Sequence, residues 1–277
     1  MSDVLKKEDY LEPDCPLSGK PVGAKPRQER IPEQRISERL DELMAKKEFL
    51  QAENMLKYWI DEARALNDRQ GEFMVYNEMM GYYRKTGRKE EAYQAIEKAM
   101  AMLDELGYRD SISGATCYTN IGTVYTVFEE PERSLPYFEK AKEIYEKTPY
   151  TGAFRLAGCY NNLATALTAL RRGEEADAYY VKALNALEGG EGLQLERAMT
   201  YLNRIDILLS DEGEKLDAER IEEYLEKAKD CLDDPEVPRD SYYSFVADKC
   251  LSIYDYFGYF RYANELRERI REIDERA

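Results

Sequence analysis

Four asparagines recur along the chain at almost constant spacing, and their side chains suit the binding of a peptide backbone. They lie 43, 42 and 41 residues apart, at Asn77, Asn120, Asn162 and Asn203. An asparagine amide both donates and accepts hydrogen bonds, so a row of amides can hold an extended peptide whatever its sequence. The alternative interpretation is structural: each amide bonds to a neighbouring helix or fills a fixed slot in a repeated template.

Two further rows share this spacing. Two residues before each of the last three asparagines lies a tyrosine: Tyr118, Tyr160 and Tyr201. Tyrosine offers a rigid apolar face with a polar tip, although packing between repeats explains such a row equally well. Three arginines lie 42 residues apart, at Arg155, Arg197 and Arg239. Stacked guanidinium groups can bind a carboxylate or phosphate of a partner, and pairing with the abundant Asp and Glu of the chain is the alternative.

The composition excludes several classes of function. The chain has 277 residues, no histidine and a formal net charge of −16. Without histidine there is no Ser-His-Asp or Cys-His machinery and no HExxH zinc site. The negative charge argues against nucleic acids and anionic membrane surfaces as partners. No carboxylate pair, nucleotide loop or nucleophile motif stands out, so we expect no enzymatic activity, no cofactor and no metal.

The five cysteines show no CxxC spacing, and no segment has the length and apolarity of a signal peptide or a membrane span. These features predict a reduced, cytoplasmic protein. Cys117 and Cys159 begin the related stretches CYTNIGTVY and CYNNLATAL, which indicates small core residues at one position of a repeat.

The chain divides into an N-terminal arm and a helical region. Residues 1–32 hold five of the ten prolines and balance six acidic against six basic residues, which predicts an extended or disordered arm. From residue 33 onward, apolar residues recur at helical spacing and no segment alternates like a strand. We therefore expect an all-α protein over residues 33–277.

Small residues recur at places where two helices must cross closely. One series is Ala92, Ser134 and Ala176, continued by Ile221 and Ala263, and a second is Ala99, Ala141, Ala183 and Ala228. The period is about 42 residues with two helices in each, and such pairs stack because none buries its apolar face alone. The predicted repeats are residues 33–69, 70–110, 111–151, 152–192, 193–237 and 238–277, with first helices starting near 33, 70, 111, 152, 193 and 239.

The segments NEMMGYYRKTGRKEEAYQAIEKAMAML and YTNIGTVYTVFEEPERSLPYFEKAKEIY resemble tetratricopeptide repeats. Their small residues, turn glycines and following alanines match the pattern of that family, and the 42-residue period is similar to that of kinesin light chains and bacterial peptide-sensing regulators. The resemblance implies a right-handed α-α superhelix of about six helix pairs. It also implies peptide binding on the concave face, which the first helix of each pair lines.

Two functional hypotheses remain open. The first is a non-enzymatic scaffold that binds a protein or peptide through the asparagine, tyrosine and arginine rows. The alternative is a cytoplasmic regulatory protein whose hold on a partner is switched by a short peptide. A self-assembly module is a further possibility, but the charged C-terminal helix resembles a solubilising cap, so we expect a monomer or a weak homodimer.

Overall fold

A computed structural model of the chain describes residues 30–149, 151–210 and 217–276, and within these ranges it contains twelve α-helices and no β-strand. In chain order the helices form six consecutive pairs. The first helices are α1 (Glu33–Ala45), α3 (Arg69–Lys85), α5 (Ile112–Val127), α7 (Ala153–Ala169), α9 (Gln194–Ser210) and α11 (Ser241–Tyr256). The second helices are α2 (Phe49–Ala65), α4 (Lys89–Glu105), α6 (Pro131–Lys147), α8 (Gly173–Leu187), α10 (Ala218–Asp233) and α12 (Phe260–Asp274).

The structure confirms the all-α class and the six helix pairs, and the first helix of each pair begins within two residues of its predicted start. The subdivision into an arm and six repeats with stated boundaries stays a prediction. Most of the arm, residues 1–29, lies outside the described residues. Its last three residues are described, and there Ile31 is buried with its N–H donating to Asp68 at 3.0 Å.

In five of the helix pairs, the turn between the two helices contains a residue in the left-handed conformation, and the turn of the α9–α10 pair lies outside the described residues. Gly87 and Gly258, which follow α3 and α11, have φ of 72° and 81°. At the same place after α1, α5 and α7, the left-handed residues are Lys47, Glu129 and Arg171. The bond from Arg88 N–H to the Tyr83 carbonyl (2.9 Å) closes the end of α3 in the manner of a Schellman motif. Helix ends without glycine therefore adopt the same turn at a cost of backbone strain.

Pro136 lies inside helix α6. A proline at this position should bend or delay the helix, because it lacks an N–H and its ring clashes with the preceding turn. Helix α6 nevertheless starts at Pro131 and continues to Lys147. Pro136 removes one hydrogen bond, the one to the carbonyl of Glu132, and Glu132 is exposed, so water can reach that carbonyl.

The described part of the chain forms two compact units, and the division between them falls between Phe128 and Glu129. In the first unit the first helices contact each other in order, α1 with α3 and α3 with α5, while α2 packs on α3 and α4 packs on α3 and α5. In the second unit α7 contacts α9 and α9 contacts α11, with α8, α10 and α12 on their partners. Each unit thus has a layer of adjacent first helices, which we call its first-helix layer.

The small residues of the repeat lie where the sequence predicts them. In both units the alanines of the two series are fully buried, with 0% exposure. A small side chain lets two helix backbones approach closely, so each buried alanine marks a crossing between helices. This core fixes the rotation of each helix and with it the side chains that the first-helix layer presents.

Candidate functional site

In the first unit, two of the predicted asparagines meet. The Asn120 amide on α5 donates to the Asn77 side-chain oxygen on α3 at 3.2 Å, and Asn77 donates to the carbonyl of Phe73 on its own helix at 2.9 Å. Both asparagines are half-buried. These two asparagines therefore lie side by side in the first-helix layer of this unit and link neighbouring helices, as the structural interpretation requires, while peptide binding by the row stays a prediction.

The hydroxyl groups near these asparagines bond to their own helix. Four threonines of α5 each donate to the carbonyl four residues earlier, at 2.8–3.0 Å: Thr116, Thr119, Thr123 and Thr126. A hydroxyl hydrogen used in this way is not offered to a ligand. The asparagine amides thus have the greater hydrogen-bonding capacity in this layer.

In the second unit, the predicted asparagines make no such bridge. Asn162 on α7 and Asn203 on α9 are half-buried, and neither side chain hydrogen-bonds to another residue in the described part of the chain. The bridge is made instead by Asn161, which donates to Thr200 at 2.9 Å. Sequence reasoning missed Asn161, although the doublet Asn161-Asn162 already showed that either amide could face the neighbouring helix.

The tyrosine row lies mainly within the scaffold. Tyr118 and Tyr160 are 4% and 7% exposed, and the Tyr160 hydroxyl donates to Glu146 at 2.9 Å. Tyr201 is half-buried and stacks on Tyr224 of α10, with ring centres 6.2 Å apart. These contacts match the packing interpretation of the row, and a peptide-binding role for the three tyrosines stays a prediction.

The three arginines of the predicted row have different surroundings. Arg155 is exposed and reaches the Thr151 carbonyl at 3.5 Å. Arg239 donates to the Leu232 carbonyl at 2.6 Å, near the end of α10. The Arg197 Nε atom is buried with no hydrogen-bond partner in the described residues. Arg239 therefore stabilises the C-terminal end of α10, because a cation is favourable beside C-terminal carbonyls.

Two charged residues of the α1–α3 region also belong to the first-helix layer. The Glu78 carboxylate accepts a hydrogen bond from Ser37 at 2.7 Å, and burial raises its pKa. Arg84 lies seven residues after Asn77 on α3, which places both on one helix face. Burial lowers the pKa of the Arg84 guanidinium, which forms no ion pair within the described part of the chain.

The described residues of this arrangement include groups that can bind a ligand, and no set of residues suited to catalysis stands out among them. Among the described residues, no group of three His, Cys, Asp or Glu side chains could hold a metal ion. Burial raises the pKa of the Cys117, Cys159 and Cys250 thiols to about 12, so their reactive thiolate is scarce at neutral pH. No helix in the described ranges is long and apolar enough to cross a membrane.

Comparison with known proteins agrees with this fold. A model of the tetratricopeptide repeat family matches residues 115–148 and 156–188. The crystal structure of BtubC (BKLC) from P. vanneervenii is similar at a TM-score of 0.61 and 22% identity, over 72% of this chain and 78% of that chain. At this identity the likeness shows the fold alone. No curated protein matches the sequence significantly. The family match thus identifies tetratricopeptide repeats at residues 115–148 and 156–188, and the helix pairs of the described residues agree with the fold of such repeats.

Proposed function

We propose that the protein is a non-enzymatic cytoplasmic scaffold that binds an extended segment of a partner protein on its first-helix layers. The proposal rests on one observation, which is that the asparagine amides have hydrogen-bonding groups that remain unused. Asn162 and Asn203 are half-buried without a hydrogen-bond partner in the described ranges, and Asn120 uses one amide hydrogen on Asn77. A peptide backbone offers both the donors and the acceptors that these amides lack.

The experiment uses a displayed library of random 12-residue peptides, selected on the intact protein and sequenced. Asn162→Ala/Asn203→Ala removes the two unbonded amides of the second unit. Asn54→Ala/Asn185→Ala is the matched control, because it removes two exposed asparagines of the second helices α2 and α8. Circular dichroism confirms that both double variants keep their helix content.

We expect the selected peptides to bind the asparagine variant about tenfold or more weakly, since each lost hydrogen bond contributes about 1 kcal/mol. The control should bind like the intact protein. Equal loss in both variants, or selection of no peptide by the intact protein, contradicts the proposal.

A further inference from the structure

Glu196 on α9 differs from the other buried carboxylates. Four carboxylate side chains are buried in the described part of the chain, and three of them are ion-paired. Glu53 contacts Lys57 and Arg88, Asp68 contacts Arg30, and Glu72 contacts Arg64 and Arg69. Glu196 is 7% exposed, and its partner in the described residues is the neutral hydroxyl of Tyr242, at 2.7 Å. A buried charge without a counter-charge is costly and requires an explanation.

Three buried side-chain oxygens on α7 and α9 lack a donor, and one of them is the Oε1 atom of Gln194, whose amide nitrogen donates to Asp234 at 3.1 Å. The Oε2 atom of Glu196 is buried with no hydrogen-bond partner, and so is the Oδ1 atom of Asn161 on α7. Thr200 connects the two residues: its hydroxyl accepts from Asn161 and donates to the Glu196 carbonyl at 2.7 Å. Since Glu196 and Thr200 are one turn apart on α9, both oxygens belong to the same stretch of the first-helix layer.

The chemistry of these atoms limits the kind of ligand that can bind here. The unsatisfied oxygens of Glu196 and Asn161 need a donor with at least two N–H or O–H groups, and the uncompensated carboxylate needs a positive charge. Water meets the first need but leaves the charge unpaired. A metal ion is disfavoured because Glu196 belongs to no cluster of three carboxylate, cysteine or histidine ligands in the described ranges. An ammonium or guanidinium group meets both needs.

Aromatic side chains adjoin the carboxylate. Tyr242 and Phe245 on α11 stack with ring centres 6.4 Å apart and are 38% and 46% exposed. The Lys249 ammonium lies 4.2 Å from the centre of the Phe245 ring, so this surface already accommodates a cation. Cations are attracted to aromatic faces, which makes the pair a suitable wall for a charged side chain.

We propose that Glu196 and Asn161 bind the cationic side chain, lysine or arginine, of the partner segment, an inference that rests on the proposed function. Tyr242 is the exposed neighbour of the buried carboxylate, so the entering N–H group takes the place of the tyrosine hydroxyl on Glu196. Burial and the hydrogen bond to Glu196 both raise the pKa of Tyr242, and the displacement removes the second of these causes.

The first test uses n-butylammonium as the probe on the intact protein carrying ¹³C-labelled glutamate. The carboxyl resonance of Glu196 is the one missing from Glu196→Gln. We expect it to shift saturably with n-butylammonium, and not with tetramethylammonium, which has no N–H, or with NaCl at equal ionic strength. Tyr242→Phe frees the carboxylate from its hydroxyl and should tighten n-butylammonium binding severalfold. A shift that is absent, equal under tetramethylammonium, or saturated by CaCl₂ overturns the proposal.

The second test applies the same peptide selection to the intact protein, to Glu196→Gln, and to Glu222→Gln, which removes an exposed carboxylate from α10. We expect lysine or arginine at one position of the selected peptides. Acetylating that lysine should weaken binding about tenfold, and Glu196→Gln should abolish the preference while Glu222→Gln keeps it. Acetylation of the peptide N-terminus distinguishes a side chain from a terminal ammonium group.

The two proposals fail in different ways. If peptides bind without a cationic preference and n-butylammonium leaves Glu196 unchanged, the cation site is refuted and the scaffold function stands. If no peptide binds but n-butylammonium shifts Glu196 saturably, the peptide function is refuted and a site for N–H cations stands.

Discussion

One carboxylate, Asp68, connects three parts of the first unit, and its removal gives the sharpest test of the fold. Asp68 is 5% exposed and lies in the turn between α2 and α3. It caps α3 by accepting from the Gly71 N–H at 3.0 Å, and it accepts from the Ile31 N–H at 3.0 Å and from Arg30 at 3.3 Å. Residues 30–32 thus depend on a helix cap far along the chain.

The loss of stability expected for Asp68→Ala follows from these contacts. Loss of an N-cap costs about 1 kcal/mol. The buried N–H of Ile31 then lacks an acceptor, which costs about 1–3 kcal/mol. Arg30 is half-exposed and adds less than about 1 kcal/mol. We expect the free energy of unfolding of the first unit to fall by about 2–4 kcal/mol, or about 1–2 M in urea midpoint at a slope of about 2 kcal/mol/M.

The assay is urea unfolding followed by tryptophan fluorescence. The chain has one tryptophan, Trp59, which is 3% exposed on α2 and therefore reports on the first unit. Asp68→Asn keeps a capping oxygen and should lose less than half as much stability as Asp68→Ala. Asp240→Ala is the matched control, because Asp240 caps α11 in the second unit, at 3.0 Å from two N–H groups. A decrease below about 0.5 kcal/mol for Asp68→Ala, or equal effects of the Asn and Ala variants, refutes the reasoning.

Three further predictions concern packing, reactivity and pH. Gly71→Ala should destabilise in urea unfolding, because the new methyl would lie 2.5 Å from Asp68, whereas Gly81→Ala has open space and should stabilise α3 by about 0.5–1 kcal/mol. Cys117 and Cys159 should resist iodoacetamide at pH 8 until the protein unfolds, as peptide mass spectrometry will show, because burial raises their thiol pKa to about 12. Burial raises the pKa of Glu53, but its two cationic partners lower it more, to below the ordinary 4.5. Glu53 therefore stabilises the folded state above pH 4.5 and loses this effect as the pH falls through its folded pKa, a loss that Glu53→Gln should remove from acid titrations followed by fluorescence.

The asparagines show where prediction from the sequence ends. Their spacing placed Asn77 and Asn120 on adjacent helices, and the structure joins them. The same spacing selected Asn162, yet its neighbour Asn161 makes the contact between helices in the second unit. Successive residues of a helix point about 100° apart, so a shift of one residue changes which side chain faces the neighbouring helix. The rotation of each helix is set by its whole packed face and cannot be read from one spacing.

The sequence by itself determined the helical class, the six pairs and the positions at which helices begin. Helix periodicity and the recurrence of small residues such as Ala92 and Ala176 are local signals, and they remain valid however the pairs pack. The tertiary structure alone decided which polar groups find partners. Glu196 resembles many other acidic residues in the sequence, and its uncompensated charge emerges when α7, α9 and α11 come together. Burial and pairing are relations between distant segments, so they are decided by packing and by no residue type or spacing.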